Sequence, residues 1–359
     1  MKNVIRWFLP LTALFIIMYS GCKGEPAPLA SSPVETVRLD NDLSPEAEEL
    51  VRTGIQHHDR GEYNNALDYY QQALELAPNH PVILYEMGFS HISLGDNDIA
   101  LEMAERGLSE AKIRGLEDVI PPLLDLKGSA LDNLGHSEEA IEVYLEALNV
   151  YGVSNTFLYY NLGVSYYRLE RREEALQALY KGLLINPNHA SSNYLLGKIN
   201  MEDGRKTQAF FTLCYFLLME PNTERAEQSY NTILYMLRPE ETIGVRDNGA
   251  FTASDMIISV AFTLDETNYQ LSDAEKTKAK LHYIFTNLEE QKNSGRIIRS
   301  ADDELYWDYY SPFFYRIADS DYFDTFCRYI GLSSDPLAQD WIENGRDEIE
   351  GFFEWLNDF

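Results

Sequence analysis

The stretch that most constrains the fold lies between residues 156 and 187, where small and large apolar residues alternate at helical spacing in two consecutive segments. Gly163 lies in the first segment, Ala175 and Gly182 lie in the second, and Pro187 follows. Because glycine and alanine place no bulky side chain between helix axes, two helices that carry them can pack closely, with large residues on either flank. The pattern predicts two packed antiparallel helices that end at a proline.

The same pattern recurs along the chain. Five glycines mark successive first helices: Gly54, Gly88, Gly128, Gly163 and Gly197. They are 34, 40, 35 and 34 residues apart, so one interval is longer than the others. That interval contains Gly115, Pro121 and Pro122, which predict a longer connection between the second and third copies.

With this period and this pattern of small residues, the chain resembles the tetratricopeptide repeat family over residues 46–221. The resemblance implies an all-α protein in which about five helical hairpins form a right-handed solenoid, with the first helices lining its concave face. We predict the solenoid over residues 44–238, including one further helix. An aromatic-rich, acidic α-helical domain is predicted over residues 239–359.

Helical spacing places one stripe of side chains per repeat on the face that the resemblance makes concave. Three of the five stripes contain aromatic residues, which bury large areas and commonly dominate interfaces. The predicted partner-binding residues are Tyr85, Phe89, Tyr160, Tyr167, Tyr194 and Lys198. The alternative is that these side chains pack against the linker or the C-terminal region.

The first 21 residues contain Lys2 and Arg6, followed by a short apolar run. This run is shorter than the roughly 20 residues that span a bilayer, so we predict a secretory signal peptide over residues 1–21. The small residues Ser20 and Gly21, directly before a cysteine, resemble the lipobox of bacterial lipoproteins.

That resemblance implies that Cys22 becomes the first residue of the mature protein and carries fatty acyl chains such as palmitate. Residues 22–43 are rich in proline and small residues and are predicted to form a flexible tether. We therefore expect a lipid-anchored protein of the bacterial cell envelope. Lys23 does not resemble the enteric signal for retention in the inner membrane, which favours the outer membrane. Ordinary signal cleavage with a free Cys22 is the alternative.

Composition limits the class of partner. The net charge of −29 argues against nucleic acids and anionic lipid head groups, because clustered lysines and arginines supply most of such binding. Hydrophobic residues make up 45% of the chain, so a disordered protein is not expected. The predicted partner is a protein or peptide segment of another envelope protein, and the predicted membrane contact is the lipid at Cys22.

The sequence contains no recognisable catalytic, metal or cofactor motif. His57 and His91 occupy equivalent places in neighbouring first helices and, with His58, could approach one another. No cysteine or carboxylate with ligand spacing accompanies them, so no metal is predicted. The simpler interpretation is that His57 and His91 fill positions that tyrosine commonly holds in this family.

The C-terminal region concentrates aromatic residues between positions 305 and 315. We interpret them as a core that docks onto the open end of the solenoid. The alternative is a stacking platform made of Trp307 and Tyr310, in an envelope enzyme that uses nearby carboxylates on a glycan. Cys214 and Cys327 are flanked by large apolar residues, which favours two buried free thiols over a disulfide.

Together these features favour a membrane-anchored scaffold for protein interactions over an enzyme. The scaffold would hold a protein segment in its groove, within an envelope machine for secretion, assembly or polymer export.

Two helix starts are also predicted, one at Ser44–Pro45 and one at Ser272, where Glu275 completes a capping box.

Overall fold

The computed structural model describes residues 43–152, 155–238, 253–261, 271–295, 304–334 and 338–358. Within these ranges all regular structure is helical, which confirms the predicted all-α fold built from helical hairpins. The predicted signal peptide, the lipidation site at Cys22 and nearly all of the predicted tether lie outside the described residues.

The described chain forms two compact units that divide after Ile185. The first unit holds eight helices in hairpins: α1 Pro45–Asp59, α2 Tyr63–Leu76, α3 Pro81–Leu94, α4 Asn97–Arg114, α5 Ile120–Asn133, α6 Ser137–Val150, α7 Thr156–Arg168 and α8 Arg172–Ile185. The second unit begins with the fifth hairpin and continues to the C-terminal region: α9 Ala190–Glu202, α10 Lys206–Met219, α11 Glu224–Met236, α12 Ala253–Val260, α13 Asp273–Asn293, α14 Ser311–Ala318, α15 Phe323–Ile330, α16 Ala338–Asn344 and α17 Arg346–Asn357. The predicted domain boundary after residue 238 stays a prediction.

Glycines on the first helices admit rings from the second helices. A Cβ atom at Gly54 would lie 2.3 Å from Cε1 of Tyr70, and one at Gly128 would lie 2.4 Å from Cε1 of Tyr144. Both tyrosine rings are buried. The small residues that predict close helix packing therefore mark the places where a large ring of the same hairpin crosses the first helix.

The predicted helix starts are confirmed. The Oγ atom of Ser44 accepts a hydrogen bond of 3.2 Å from the amide of Ala47, and Pro45 is the first residue of α1. Ser272 and Glu275 form the capping box of α13, because the Glu275 carboxylate accepts from the Ser272 amide at 2.8 Å and Ser272 Oγ accepts from the Glu275 amide at 3.4 Å. These caps satisfy amides that have no partner inside the helix.

The long interval between the second and third repeats is built differently from the prediction. Helix α4 runs to Arg114, Gly115 adopts a left-handed φ of 70°, and a short 3-10 turn covers Glu117–Val119. Pro121 and Pro122 do not lie in a loop, because they occupy the first turn of α5. Proline fits there since the first amides of a helix need no intrahelical acceptor.

In the second unit, the fifth hairpin packs against the aromatic C-terminal segment. The ring of Phe211 contacts Trp307 edge-on at 6.0 Å and lies parallel to Phe314 at 5.9 Å. Asn200 Nδ2 donates a 3.1 Å hydrogen bond to the Tyr306 hydroxyl, and the Tyr310 hydroxyl donates to Asn193 Oδ1. The prediction that these aromatic residues form a core is therefore confirmed.

One turn of π-helix, Leu305–Tyr310, precedes α14 in that core. The amide of Ser311 donates to the carbonyl of Tyr306, five residues earlier. Pro312 follows directly, and it has no amide with which to continue the α-helical ladder. The wider turn thus lies where proline removes a regular hydrogen bond, which is a known cause of local helix distortion.

Candidate protein-binding face

The first helices of the first unit place side chains against one another across neighbouring repeats. We call the side chains of α1, α3, α5 and α7 on this side the first-helix face: His58, Tyr85, Glu86, Phe89, Asp125, Ser129, Tyr160, Asn161 and Tyr167. Hydrogen bonds connect adjacent helices: one joins His58 Nδ1 and Ser90 Oγ at 2.7 Å, and Asn161 Nδ2 donates another to Asp125 Oδ1 at 2.9 Å. The face thus combines aromatic and polar side chains within one compact unit.

One end of this face is a row of stacked rings. His58 lies nearly parallel to Phe89 with ring centroids 5.0 Å apart, and its edge meets Tyr63 at 5.0 Å. Phe89 lies parallel to Tyr85 at 6.2 Å. Burial lowers the pKa of His58, so this ring is neutral in the stack at neutral pH.

Two carboxyl groups lie beside this row. Burial, followed by repulsion from Asp59, raises the pKa of Glu86 from 4.5 to about 8. Burial raises the pKa of Asp125 to about 6, although the donated hydrogen bond from Asn161 acts in the opposite direction. Burial first, and then the charges of Glu86 and Asp125, raises the pKa of the Tyr85 phenol, so both carboxylates lie near this ring. Desolvation and like charge both disfavour the ionised form of a carboxyl group, which explains why these pKa values are raised. Shifts of this kind are common at functional sites.

A third carboxylate on the same helices is fully engaged within the protein. Asp132 is buried and accepts a hydrogen bond of 2.6 Å from Ser137 Oγ. Arg168 donates to the Asp132 carboxylate and, through Nη1, to the Asp132 carbonyl at 2.9 Å. This pair fixes α7 against α5, and the hydrogen bond from Asn161 to Asp125 joins the same two helices.

The predicted binding residues do not share one environment. Tyr85 is only 4% exposed, so its predicted place on an open surface is wrong: it is core, covered by its neighbours on the face. Phe89, Tyr160 and Tyr167 are half-buried and keep part of each ring accessible.

Two predicted binding residues belong to the second unit, on α9. The Tyr194 ring lies 5.2 Å below the Arg225 guanidinium, and its hydroxyl donates to Gln228 Oε1 at 3.3 Å. Lys198 is exposed. Whether these two residues bind a partner stays a prediction.

Sequence reasoning missed Glu86 as a functional candidate. It is the only Asp, Glu, Lys or Arg residue in α3, a helix in which most side chains are buried. A single charge in an otherwise apolar helix is a usable signal, because ionisable side chains are rarely buried without a reason. Asp125 is held by Asn161 of α7, a contact that the sequence of α5 alone does not indicate.

The three histidines that could have formed a cluster have separate partners. His57 stacks on Tyr69 at 5.1 Å and contacts the carboxylate of Glu62. His91 Nδ1 lies 3.2 Å from Asp96 Oδ2, and His58 lies in the ring stack. Within the ranges that the structure describes, no group of three His, Cys, Asp or Glu side chains is arranged to hold a metal ion.

The C-terminal alternative also has a clear outcome. Trp307 is 2% exposed and Tyr310 is fully buried, so these rings cannot serve as a platform for a soluble glycan. The interpretation of the pair as a stacking platform is wrong, because the fifth hairpin covers them.

Cys214 and Cys327 are both free thiols, as predicted, with Cys214 buried and Cys327 half-buried.

Three family models match stretches of the chain that lie almost entirely within the first unit. A model described as TPR repeat matches residues 54–95, and two models described as tetratricopeptide repeat match residues 121–152 and 157–189. This chain contains tetratricopeptide repeats. The three matched stretches include every residue of the first-helix face, so the candidate site lies within recognised repeats.

Individual relatives are distant. The anaphase-promoting complex subunit CDC16 of Saccharomyces cerevisiae is 25% identical over 144 residues, which is 40% of this chain and 17% of the yeast protein. The tetratricopeptide protein TTC0263 of Thermus thermophilus is 21% identical with a TM-score of 0.46, covering 52% of this chain and 99% of that one. Pseudomonas aeruginosa pilF is 16% identical with a TM-score of 0.47, covering 63% and 93%.

A helix that crosses a bilayer must be both long and apolar. Among the helices of the described ranges, none is both long enough and apolar enough to cross a membrane.

Proposed function

We propose that this protein is a scaffold for protein interactions, whose first-helix face holds a segment of another protein. The observation that carries this proposal is the set of three half-buried aromatic side chains, Phe89, Tyr160 and Tyr167, on first helices of recognised repeats. Aromatic rings that are partly exposed before binding offer large apolar area at a small cost in side-chain entropy. Hydrogen bonds also join α1 to α3 and α5 to α7 on this face.

The scaffold is anchored by a lipid at Cys22 and works in the bacterial cell envelope, within a machine for secretion, assembly or polymer export. Support for this part comes from the sequence alone: the short apolar run, and Ser20–Gly21 before the cysteine. A membrane anchor and a protein-binding face are compatible, because the proline-rich residues 22–43 separate them along the chain.

Site-specific cross-linking in cells tests the binding face. Phe89, Tyr160 and Tyr167 are each replaced by p-benzoylphenylalanine, and cross-linked proteins are identified by mass spectrometry. Ile113 is the matched control, since it is 75% exposed on a second helix. We expect one shared cross-linked protein from the three face positions and not from Ile113. Equal cross-linking at all four positions, or none at any, refutes the binding face.

Lipidation is tested separately. Mass spectrometry of the mature N-terminus should find acyl chains on Cys22, and Cys22→Ala should move the protein from the membrane fraction to the soluble fraction. An unmodified N-terminus at another residue would refute the anchor while leaving the binding face untouched.

A further inference from the structure

All four second helices of the first unit end in exposed apolar residues. Ile113 is 75% exposed near the end of α4, and Val150 is 71% exposed at the end of α6. We call the whole set the second-helix edge: Leu76, Ile113, Val150, Leu184 and Ile185. A single exposed apolar residue needs no explanation, whereas exposed apolar residues at the ends of four successive second helices mark a surface that contacts something.

Hydrogen bonds place these helix ends at the same edge of the unit. Arg114 Nη2, at the end of α4, donates to the carbonyl of Pro78, just after α2, at 3.3 Å. Thr156 Oγ1, at the start of α7, donates to the carbonyl of Gly182, near the end of α8, at 3.1 Å. Helix α6 packs against α5 as its hairpin partner and ends shortly before Thr156. The exposed residues therefore follow one another along a single edge.

The opposite edge, where the hairpin turns lie, has a different composition. Its carboxylates are Asp59, Glu62, Asp96, Asp98, Glu138, Glu139, Glu170, Glu173 and Glu174. The last turns of the four second helices contain one carboxylate, Glu75, together with Lys112 and Arg114. Four further carboxylates lie close to the starts of α1 and α5: Glu46, Glu48, Glu117 and Asp118. The second-helix edge is thus the less acidic edge, although it is not basic.

The chain enters the first unit at this same edge. Leu43, which precedes α1, is buried in one apolar cluster with Ala73 of the last turn of α2 and Ile83 of the first turn of α3. It follows Cys22, the proposed site of the lipid, by 21 residues. A flexible segment of that length spans about 25 Å on average and at most about 70 Å.

The point of entry decides which edge the anchor brings to the membrane. A second helix of 14 residues, such as α2, is about 21 Å long, so the hairpin turns lie about that much farther along the helix axis from Leu43. The distance is similar to the average span of the tether. A lipid at Cys22 therefore holds the second-helix edge close to the bilayer more often than it holds the hairpin turns there.

We propose that the second-helix edge lies on the surface of a lipid bilayer and inserts its exposed apolar side chains at the level of the head groups. This inference rests on the anchoring part of the proposed function, because the tether supplies the proximity. Each side chain makes only a weak contact, but a tethered surface has a high effective concentration at the membrane, so weak contacts persist. The acidic hairpin turns then point away from the lipid.

Apolar area, and not charge, holds the edge on the membrane. The net charge of −29 opposes binding to anionic head groups, and the few cations of the second-helix edge are offset by nearby carboxylates. Apolar side chains at a membrane surface are buried roughly 5–10 Å deep, at the boundary between head groups and acyl chains. The expected surface is therefore a zwitterionic bilayer such as phosphatidylcholine.

The test measures which end of α4 meets the lipid. The chain without its predicted signal peptide is coupled through the Cys22 thiol to phosphatidylcholine vesicles that contain a maleimide lipid. Burial raises the pKa of the Cys214 and Cys327 thiols, so these two react slowly. A fluorescent amino acid replaces either Ile113 or Ile99, and the vesicles carry a nitroxide quencher on the acyl chain.

Ile99 is the matched control for Ile113. It is 42% exposed and lies on the same helix, about 21 Å away at the hairpin-turn end. We expect the fluorophore at position 113 to lose most of its emission on nitroxide vesicles, and the fluorophore at position 99 to keep its emission. Equal quenching at both positions, quenching at position 99 alone, or none at either would overturn the proposal.

Substitutions elsewhere on the edge test whether apolar contacts cause the quenching. Leu76→Ser together with Val150→Ser should reduce the quenching at position 113, because two of the inserted side chains are lost. Leu94→Ser, at the hairpin turn of the second repeat, should leave the quenching unchanged. All three side chains are exposed, and circular dichroism checks that the helices persist. Quenching that appears only after phosphatidylglycerol is added would refute docking by apolar side chains.

This experiment separates the docking surface from the lipid anchor. The chemical link to Cys22 replaces the acyl chains, so a mature N-terminus without acylation would refute the anchor and would leave the quenching pattern unchanged. Conversely, an acylated Cys22 with no quenching at position 113 would support the anchor and refute the docking surface. Protein cross-linking at the first-helix face is independent of both results.

Discussion

Replacing Glu86 by Gln should stabilise the protein at alkaline pH and have little effect at acidic pH. The folded state raises the pKa of this carboxyl from 4.5 to about 8, chiefly by burial and next by repulsion from Asp59. A carboxyl with a raised pKa binds its proton more tightly in the folded state than in the unfolded state. Its contribution to stability is therefore greatest below pH 4.5 and is lost as the pH rises towards 8.

The size of the loss follows from the same shift. One pKa unit corresponds to about 1.36 kcal/mol, so the ionisation of Glu86 lowers the free energy of unfolding by at most about 5 kcal/mol at pH values above 8. Water that reaches the half-buried side chain screens part of this loss, and a net effect of about 2–3 kcal/mol is expected. Gln carries no charge at any pH, so Glu86→Gln does not suffer the loss.

Differential scanning calorimetry of the full chain measures the effect. The Tm of Glu86→Gln minus that of the unmodified protein should grow by about 4–12 °C between pH 5 and pH 8.5. Glu75→Gln, which removes an exposed carboxylate on α2, serves as the control, and its Tm difference should not grow with pH. A Tm difference for Glu86→Gln that stays constant with pH would refute the burial of an ionisable Glu86.

Three further predictions concern packing. Tyr85→Ala should lower the free energy of unfolding by about 3–5 kcal/mol, because this ring is buried, and circular dichroism with urea titration measures the loss. Gly54→Ala should lower the free energy of unfolding by about 1–3 kcal/mol, since the new methyl group meets the Tyr70 ring. An unchanged midpoint of unfolding in the same urea titration would contradict this. Burial raises the pKa of the Cys214 and Cys327 thiols, so both should react slowly with a thiol reagent in the native protein and quickly in urea. Rapid labelling of Cys214 in the native protein would show that its helix is open.

Much of the repeat architecture could be predicted, because local chemistry specifies it. Gly54 and Gly128 mark close packing by lacking a side chain, and Ser44 and Ser272 mark helix starts through hydrogen bonds within one turn. These signals depend on neighbours in sequence or on the partner helix of the same hairpin. Pro121 and Pro122 of α5 show where such local signals are ambiguous, since proline favours both a connection and the first turn of a helix.

The candidate site was less predictable, because it depends on contacts between repeats. Helical spacing put Tyr85 and Phe89 on one stripe, but only the packing of α1 and α5 against α3 decides that Tyr85 is covered while Phe89 stays half-buried. The shifted pKa of Glu86 likewise arises from desolvation and from Asp59 on another helix. A periodicity in sequence gives the direction of a side chain on its own helix and does not give the dielectric environment that the neighbouring helix creates.

The fifth hairpin has a consequence for how the chain is made. Helix α10 buries side chains on all sides, including Phe210, Phe211 and Phe216, and part of its cover is Trp307 and Phe314. During synthesis this helix leaves the ribosome well before its cover does, so its rings have no permanent partner in the meantime. A nascent or truncated chain that ends before position 305 therefore presents an apolar helix to chaperones and proteases. Completion of the C-terminal segment is what removes that helix from their reach.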